Sequence, residues 1–216
     1  MALLFAAVAS LAAWGARPRL RRFGNITFLP LAQELAAPNP APAVAQINFR
    51  DFTFRLYPTQ DAPDPGHSGI APFAAAGQPL VLQVRGGHFD DRENAAAPLE
   101  FDIIRTSIAT LPHVLNPQLA VVFGILYTGE DRPTCTGVVQ TFATYQHRVW
   151  LMAQFTYNCQ GGMNARYVAR KHQLRIRSAV FAAGDRRCCP TLQDAVNFKM
   201  DGPRVKPSGV ALAPGS

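Results

Sequence analysis

The stretch Leu119-Ala120-Val121-Val122-Phe123-Gly124-Ile125-Leu126-Tyr127 is apolar at successive rather than alternate positions and is rich in Val and Ile. Side chains of a strand point alternately to its two faces, so an unbroken run of this kind reads as a central strand covered on both sides. On its C-terminal side, after a turn over 129–133, come Val138–Tyr145 and Val149–Tyr157, separated only by Gln146-His147-Arg148. That spacing is a hairpin signal. Tyr167–Ala169 and Leu174–Val180 repeat the pattern around Arg170-Lys171-His172, and Val196–Met200, closed by Asp201-Gly202, reads as a last short strand.

On the N-terminal side, Leu99, Phe101 and Ile103 alternate with Glu100 and Asp102, the pattern of a half-buried strand. Leu80–Val84 precedes it, separated by Gly86-Gly87 and an acidic loop over 88–94. Residues 58–79 hold five prolines and three glycines, which predicts a long surface loop. Further upstream, Ile47 and Phe49, then Phe52, Phe54 and Leu56, keep the alternation but change phase, which predicts a strand bulged at Arg50-Asp51. Successive short strands with hairpin-sized turns predict a mainly β chain, an antiparallel meander forming a sandwich or an open barrel. Charged residues are only 16% of the chain, too few for solvent-facing helices with charge ladders, so helices should be few and short, with Asn116 or Leu192–Ala195 as their places.

The division expected from these signals is a leader, signal or anchor region over 1–37, a Pro/Ala linker over 38–45, one β-rich domain over 46–202 and a tail over 203–216. Residues 2–14 form an apolar run the length of a signal core but short for a membrane span, with the small residues Gly15 and Ala16 after Trp14. No positive charge precedes that run, whereas Arg17, Arg19, Arg21 and Arg22 follow it. This leaves two readings open. Either Arg17–Arg22 is the basic region before Phe23–Ala37, or the segment is an anchor. No cysteine precedes Cys135, so a lipid-bearing N-terminal cysteine is not expected.

Cys135, Cys159, Cys188 and Cys189 lack the paired C-x-x-C or His-flanked spacing of a zinc site, and disulfides are the better reading. A vicinal pair is strained when bonded to itself, so Cys188 and Cys189 are expected to reach Cys135 and Cys159 in an order left open. The alternatives are a Cys135–Cys159 bond and a vicinal redox switch. Each closed loop would stabilise by roughly 3 kcal/mol in the chain-entropy picture. Disulfides place the chain in an oxidising compartment, here periplasmic or secreted.

The net charge of +7 is unevenly spread: residues 61–131 carry three basic and nine acidic side chains, and 132–216 twelve and three. Clustered arginine raises the local potential and favours anionic partners. Arg166 and Arg170 share a face of one predicted strand, and Arg175 and Arg177 share a face of the next; if those faces coincide, the guanidinium groups can clamp phosphate or carboxylate. The competing reading is a solubilising face with arginine stems covering apolar surface. The signatures of nucleic-acid modules are missing, so nucleic acid is not the expected partner. Membrane contact is expected only through an uncleaved N-terminus, and the oligomeric state is not legible.

His88, Asp90, Asp91 and Glu93, after two glycines, form the one group with metal-ligand chemistry, against the simpler reading of a solvated acidic loop. Ser68 and Ser178 lack a nucleophile-elbow setting, and no phosphate loop or dinucleotide fingerprint occurs. No cofactor is expected. The expected function is therefore a non-catalytic binding or structural role at the envelope. The alternative is a hydrolase whose site is assembled from residues far apart in sequence.

Two short motifs carry a family likeness: Ile47-Asn48-Phe49-Arg50-Asp51-Phe52-Thr53 followed by Tyr57-Pro58, and Ala183-Gly184-Asp185 leading into Cys188-Cys189-Pro190-Thr191. With them the chain resembles a family of exported bacterial proteins distantly similar to the LppP/LprE-type lipoproteins. The resemblance implies a β-rich domain without an assigned activity. Relatives carry a Gly- and Asp-rich turn before the central strand, whereas residues 106–118 here lack the oxygen ligands such a calcium loop needs.

Overall fold

Both faces of the central strand are covered because it runs through the middle layer of three. In the computed structural model the described residues are 21–23, 26–35, 43–58, 78–91, 93, 98–110, 118–128, 134–158, 163–168, 171, 173–180, 182–186, 191–201 and 204–214. They form β1 (Arg21–Phe23), β2 (Ile26–Glu34), β3 (Thr53–Leu56), β4 (Leu80–Gln83), β5 (His88–Asp90), β6 (Leu99–Thr110), β7 (Gln118–Thr128), β8 (Thr134–Tyr145), β9 (Arg148–Asn158), β10 (Met163–Val168), β11 (Gln173–Val180), β12 (Leu192–Asp201) and β13 (Arg204–Pro214). The middle layer is a seven-stranded antiparallel sheet in the order β1-β2-β9-β8-β7-β6-β5. A four-stranded sheet, β10-β11-β12-β13, lies on one face, and the β3–β4 hairpin lies on the other. Among the described residues the fold is mainly β and antiparallel, without a closed barrel. Among the described residues no helix is long and apolar enough to cross a membrane.

Local chemistry explains the hairpins. Gln146 and His147 both take positive φ, 50° and 59°, between the paired Tyr145 and Arg148, and this two-residue turn matches the twist of strands β8 and β9. In β9, Leu151 pairs with Phe142 and Ala153 with Thr141, so Met152 is an extra residue. The bulge flips the phase: Val149 and Leu151 face the hairpin layer, while Ala153 and Phe155 face the four-stranded sheet. β2 follows this kink with its own irregularity between Pro30 and Gln33, where Ala32 has φ 48°.

The core is two clusters back to back. Phe49, Phe54, Leu56, Leu82 and Val84 cover Phe101, Val122, Leu126 and Phe142 on one side. Leu174, Ile176, Val196, Phe198 and Val205 cover Phe28, Phe123, Val139 and Phe155 on the other. Gly124 is required by close approach: a Cβ there would lie 2.3 Å from the buried Phe101 ring. The hairpin layer is also held by polar contacts. Gln154 Oε1 accepts from Tyr57 N at 3.0 Å, Gln154 Nε2 donates to Tyr57 O at 2.8 Å, and Gln140 Nε2 donates to Arg55 O at 2.7 Å.

Several expectations change. Residues 21–23 and 26–34, assigned to a leader, are strands β1 and β2, and β2 pairs with β9. Residues 204–214, assigned to a tail, are β13, paired with β12. The folded unit thus extends beyond 46–202, because long-range pairing recruits segments whose local composition is ambiguous. Of the linker, 38–42 lie outside the described residues, and Val44–Gln46 is a 3-10 turn whose Val44 is buried. The bulge expected at Arg50-Asp51 is instead a 3-10 turn, Phe49–Asp51, begun by Asn48, whose side chain accepts from Arg50 N. Leu192–Ala195 is strand, not helix, since it pairs with Arg177–Val180. Of the loop expected over 58–79, residues 59–77 lie outside the described residues, as does the helix position at Asn116.

Candidate functional site

The first motif, Asn48 to Asp51, builds a turn elsewhere in the chain. Gly86 and Gly87 take φ 60° and 92° between the bridged residues Arg85 and His88. Gly87 N donates to Arg50 O at 2.7 Å, Gly86 N donates to Asp51 Oδ1 at 2.8 Å, and Arg50 Nη2 donates to Gly86 O at 2.6 Å. Asn48 Nδ2 holds the other carboxylate oxygen of Asp51 at 2.7 Å. A side chain on Gly87 would meet the Arg50 guanidinium at 3.0 Å. This clamped turn fixes where β5 begins, and hence where His88 stands.

From there the register decides the neighbours. His88 pairs with Asp102, and Asp90 with Glu100, so all four side chains leave one face of the sheet. His88 Nδ1 lies 2.7 Å from Asp102 Oδ1 and 3.8 Å from Glu100 Oε1, and its Nε2 lies 3.9 Å from Asp90 Oδ2. One ligand atom each from His88, Glu100 and Asp102 falls within 4.8 Å of the others. Glu100 is only 2% exposed, whereas Asp91 and Glu93 are exposed to solvent. Of the expected metal group, His88 comes together with Glu100 and Asp102, the replacements for Asp91 and Glu93, while Asp90 Oδ2 lies 3.9 Å from His88 Nε2. The replacements read in sequence as the outward residues of a strand; only the β5–β6 register reveals them.

The basic residues gather on the outer face of the four-stranded sheet. Leu174, Ile176, Val196, Phe198 and Val205 point inward and are buried, so the alternate positions point out. Arg166 stands opposite Arg175, and Arg175 opposite Asn197; Lys199 stands opposite Lys206, and Asp201 opposite Arg204. Arg177, two residues from Arg175, shares the face and is exposed. Arg175 is half-buried, and its Nε donates to Asn197 Oδ1 at 2.9 Å. That bond fixes the guanidinium plane and leaves its terminal nitrogens for another acceptor. Arg170 lies outside the described residues. Arg204 and Lys206 were missed as members of this face because β13 was not expected, and Lys199 because its place beside Gln173 is set only by the β11–β12 register.

Cys135 sits half-buried on β8 opposite Tyr127 and is disulfide-bonded; Cys159, Cys188 and Cys189 lie outside the described residues. The second motif is anchored by Asp185, whose carboxylate accepts from Ala182 N at 2.7 Å, Thr191 N at 2.8 Å and the Thr191 hydroxyl at 2.9 Å. The backbone bonds from Thr191 and Ala182 hold the Asp185 carboxyl below the usual carboxylate range. A depressed folded value means the stabilisation is complete above pH ~4 and fades as pH falls through that lower value. Asp185→Asn is therefore expected to lower the urea midpoint at neutral pH and to lower it less at an acid pH, below the unfolded carboxylate value of ~3.9. Urea titrations of both chains at the two pH values measure this, and an equal gap at both would contradict it.

Comparison with protein-family models, with curated proteins and with solved structures returned no match.

Proposed function

We propose that the protein is a non-catalytic, exported binding domain that takes an anionic envelope ligand on the outer face of its four-stranded sheet. The observation that carries this reading is the register: among the described residues it sets Arg175, Arg177, Lys199, Arg204 and Lys206 on one face, with Arg166 paired to Arg175 and the acidic Asp201 paired to Arg204. A face of this charge attracts phosphate- or sulfate-bearing polymers, and arginine gives the bidentate contacts that hold them. The Cys135 disulfide supports an oxidising compartment. The likeness of both motifs to exported β-rich proteins supports the same placement.

The test uses heparin as the probe. The double variant Arg175→Glu/Arg177→Glu alters two outward positions and leaves the buried face intact. The parent chain should be retained on immobilised heparin and elute at a salt concentration that the variant no longer needs. Lipopolysaccharide should raise the melting temperature of the parent only. Equal elution of both chains, or a parent indifferent to both probes, refutes the proposal.

A further inference from the structure

The geometry points to a divalent transition-metal site at the β5–β6 edge, with His88, Glu100 and Asp102 as ligands and Asp90 as the residue that orients the imidazole. This goes beyond the anion-binding reading and does not depend on it, since the two groups of residues lie on different sheets.

The donor set is one imidazole nitrogen and two carboxylate oxygens, the mixture that suits zinc and its neighbours rather than calcium or magnesium, which prefer oxygen alone. Bonds of ~2.0–2.2 Å in a tetrahedron place ligand atoms about 3.4 Å apart. The distances from His88 Nδ1, 2.7 Å to Asp102 and 3.8 Å to Glu100, lie on either side of that spacing. Shifts of roughly half an ångström therefore admit the ion, with Nδ1 giving up its proton and a water completing the shell.

Two features separate this group from a solvated acidic loop. Glu100 is buried on a strand interior, so one ligand is fixed before an ion arrives. The imidazole is positioned by the Gly86-Gly87 turn, which the Asn48–Arg50–Asp51 contacts clamp from another element. Nε2, the nitrogen left to carry the proton, faces Asp90 Oδ2 at 3.9 Å, the place of the outer carboxylate that typically orients a metal-bound histidine.

The experiment is calorimetric titration of the chelator-treated full-length chain, disulfides intact, with zinc chloride and separately with calcium chloride. Zinc is expected to bind at one site and to raise the melting temperature, with calcium giving neither. His88→Ala should abolish zinc binding, and Asp90→Asn should weaken it by 10-fold or more. The His88 side chain is 45% exposed, so its removal leaves the buried apolar core intact, and a cooperative melting transition of unliganded His88→Ala shows that the variant is folded. Zinc affinity retained in His88→Ala, calcium binding as tight as zinc, or no zinc heat at all would each overturn the assignment.

Discussion

Replacing Gln154 with alanine is expected to destabilise the protein by about 4 kcal/mol, more than a typical core truncation of similar volume. The side chain is fully buried, and both of its polar atoms serve the β3–β4 layer. Truncation strands the Tyr57 N–H and C=O and removes the acceptor that Gln140 Nε2 uses at 3.0 Å. A buried polar group left without a partner costs roughly 1–3 kcal/mol, and here several are stranded at once. The contrast with Gln140 is informative, because its Oε1 is already buried without a partner among the described residues. The effect should be local first: amide exchange in β3 and β4 accelerates while β7 and β8 stay protected. A urea midpoint within ~1 kcal/mol of the parent, or uniform acceleration of exchange, would show that apolar contacts alone hold the hairpin.

The same glutamines show what could be read without coordinates. Gln140 and Gln154 interrupt apolar runs, and nothing local says that their amides close on the backbone of Arg55 and Tyr57, far away in the chain. The central strand was legible because Leu119 to Leu126 is apolar on both faces, and the β8–β9 hairpin because its turn is short. β2 was not, since Pro30 and the preceding arginines imitate an export signal; it becomes a strand only through its pairing with β9. β13 was hidden by the prolines of its sequence; Pro207 pairs with Phe198 at the register irregularity, and Pro214 is the last residue of the strand beside β12. The arginine face was partly legible, because alternation along one strand is a local property. The His88 group was half legible: its turn is signalled by two glycines, whereas Glu100 and Asp102 become its neighbours through cross-strand register alone.

Phe198→Ala is the other substitution with a large expected effect, about 4 kcal/mol, and it separates the two proposed sites. The Phe198 ring is fully buried and stands 4.8 Å from Phe28, 4.9 Å from Phe155 and 6.2 Å from Phe23, so it joins the four-stranded sheet to β1, β2 and β9. Aromatic pairs of this kind add roughly 0.5–1.5 kcal/mol beyond the area they bury, and none of the three survives truncation. The loss falls on the contact between layers rather than within either sheet. Unfolding in urea should therefore broaden or split, with amide exchange rising first in β11 and β12. Because the basic face is the reverse side of that sheet, heparin retention should fall in step with the loosened layer. Zinc binding at His88 should persist, since β5 and β6 are packed by Phe101 and Leu99 against the opposite cluster. A single sharp transition in which both ligands are lost together would instead mean that the three layers unfold as one unit.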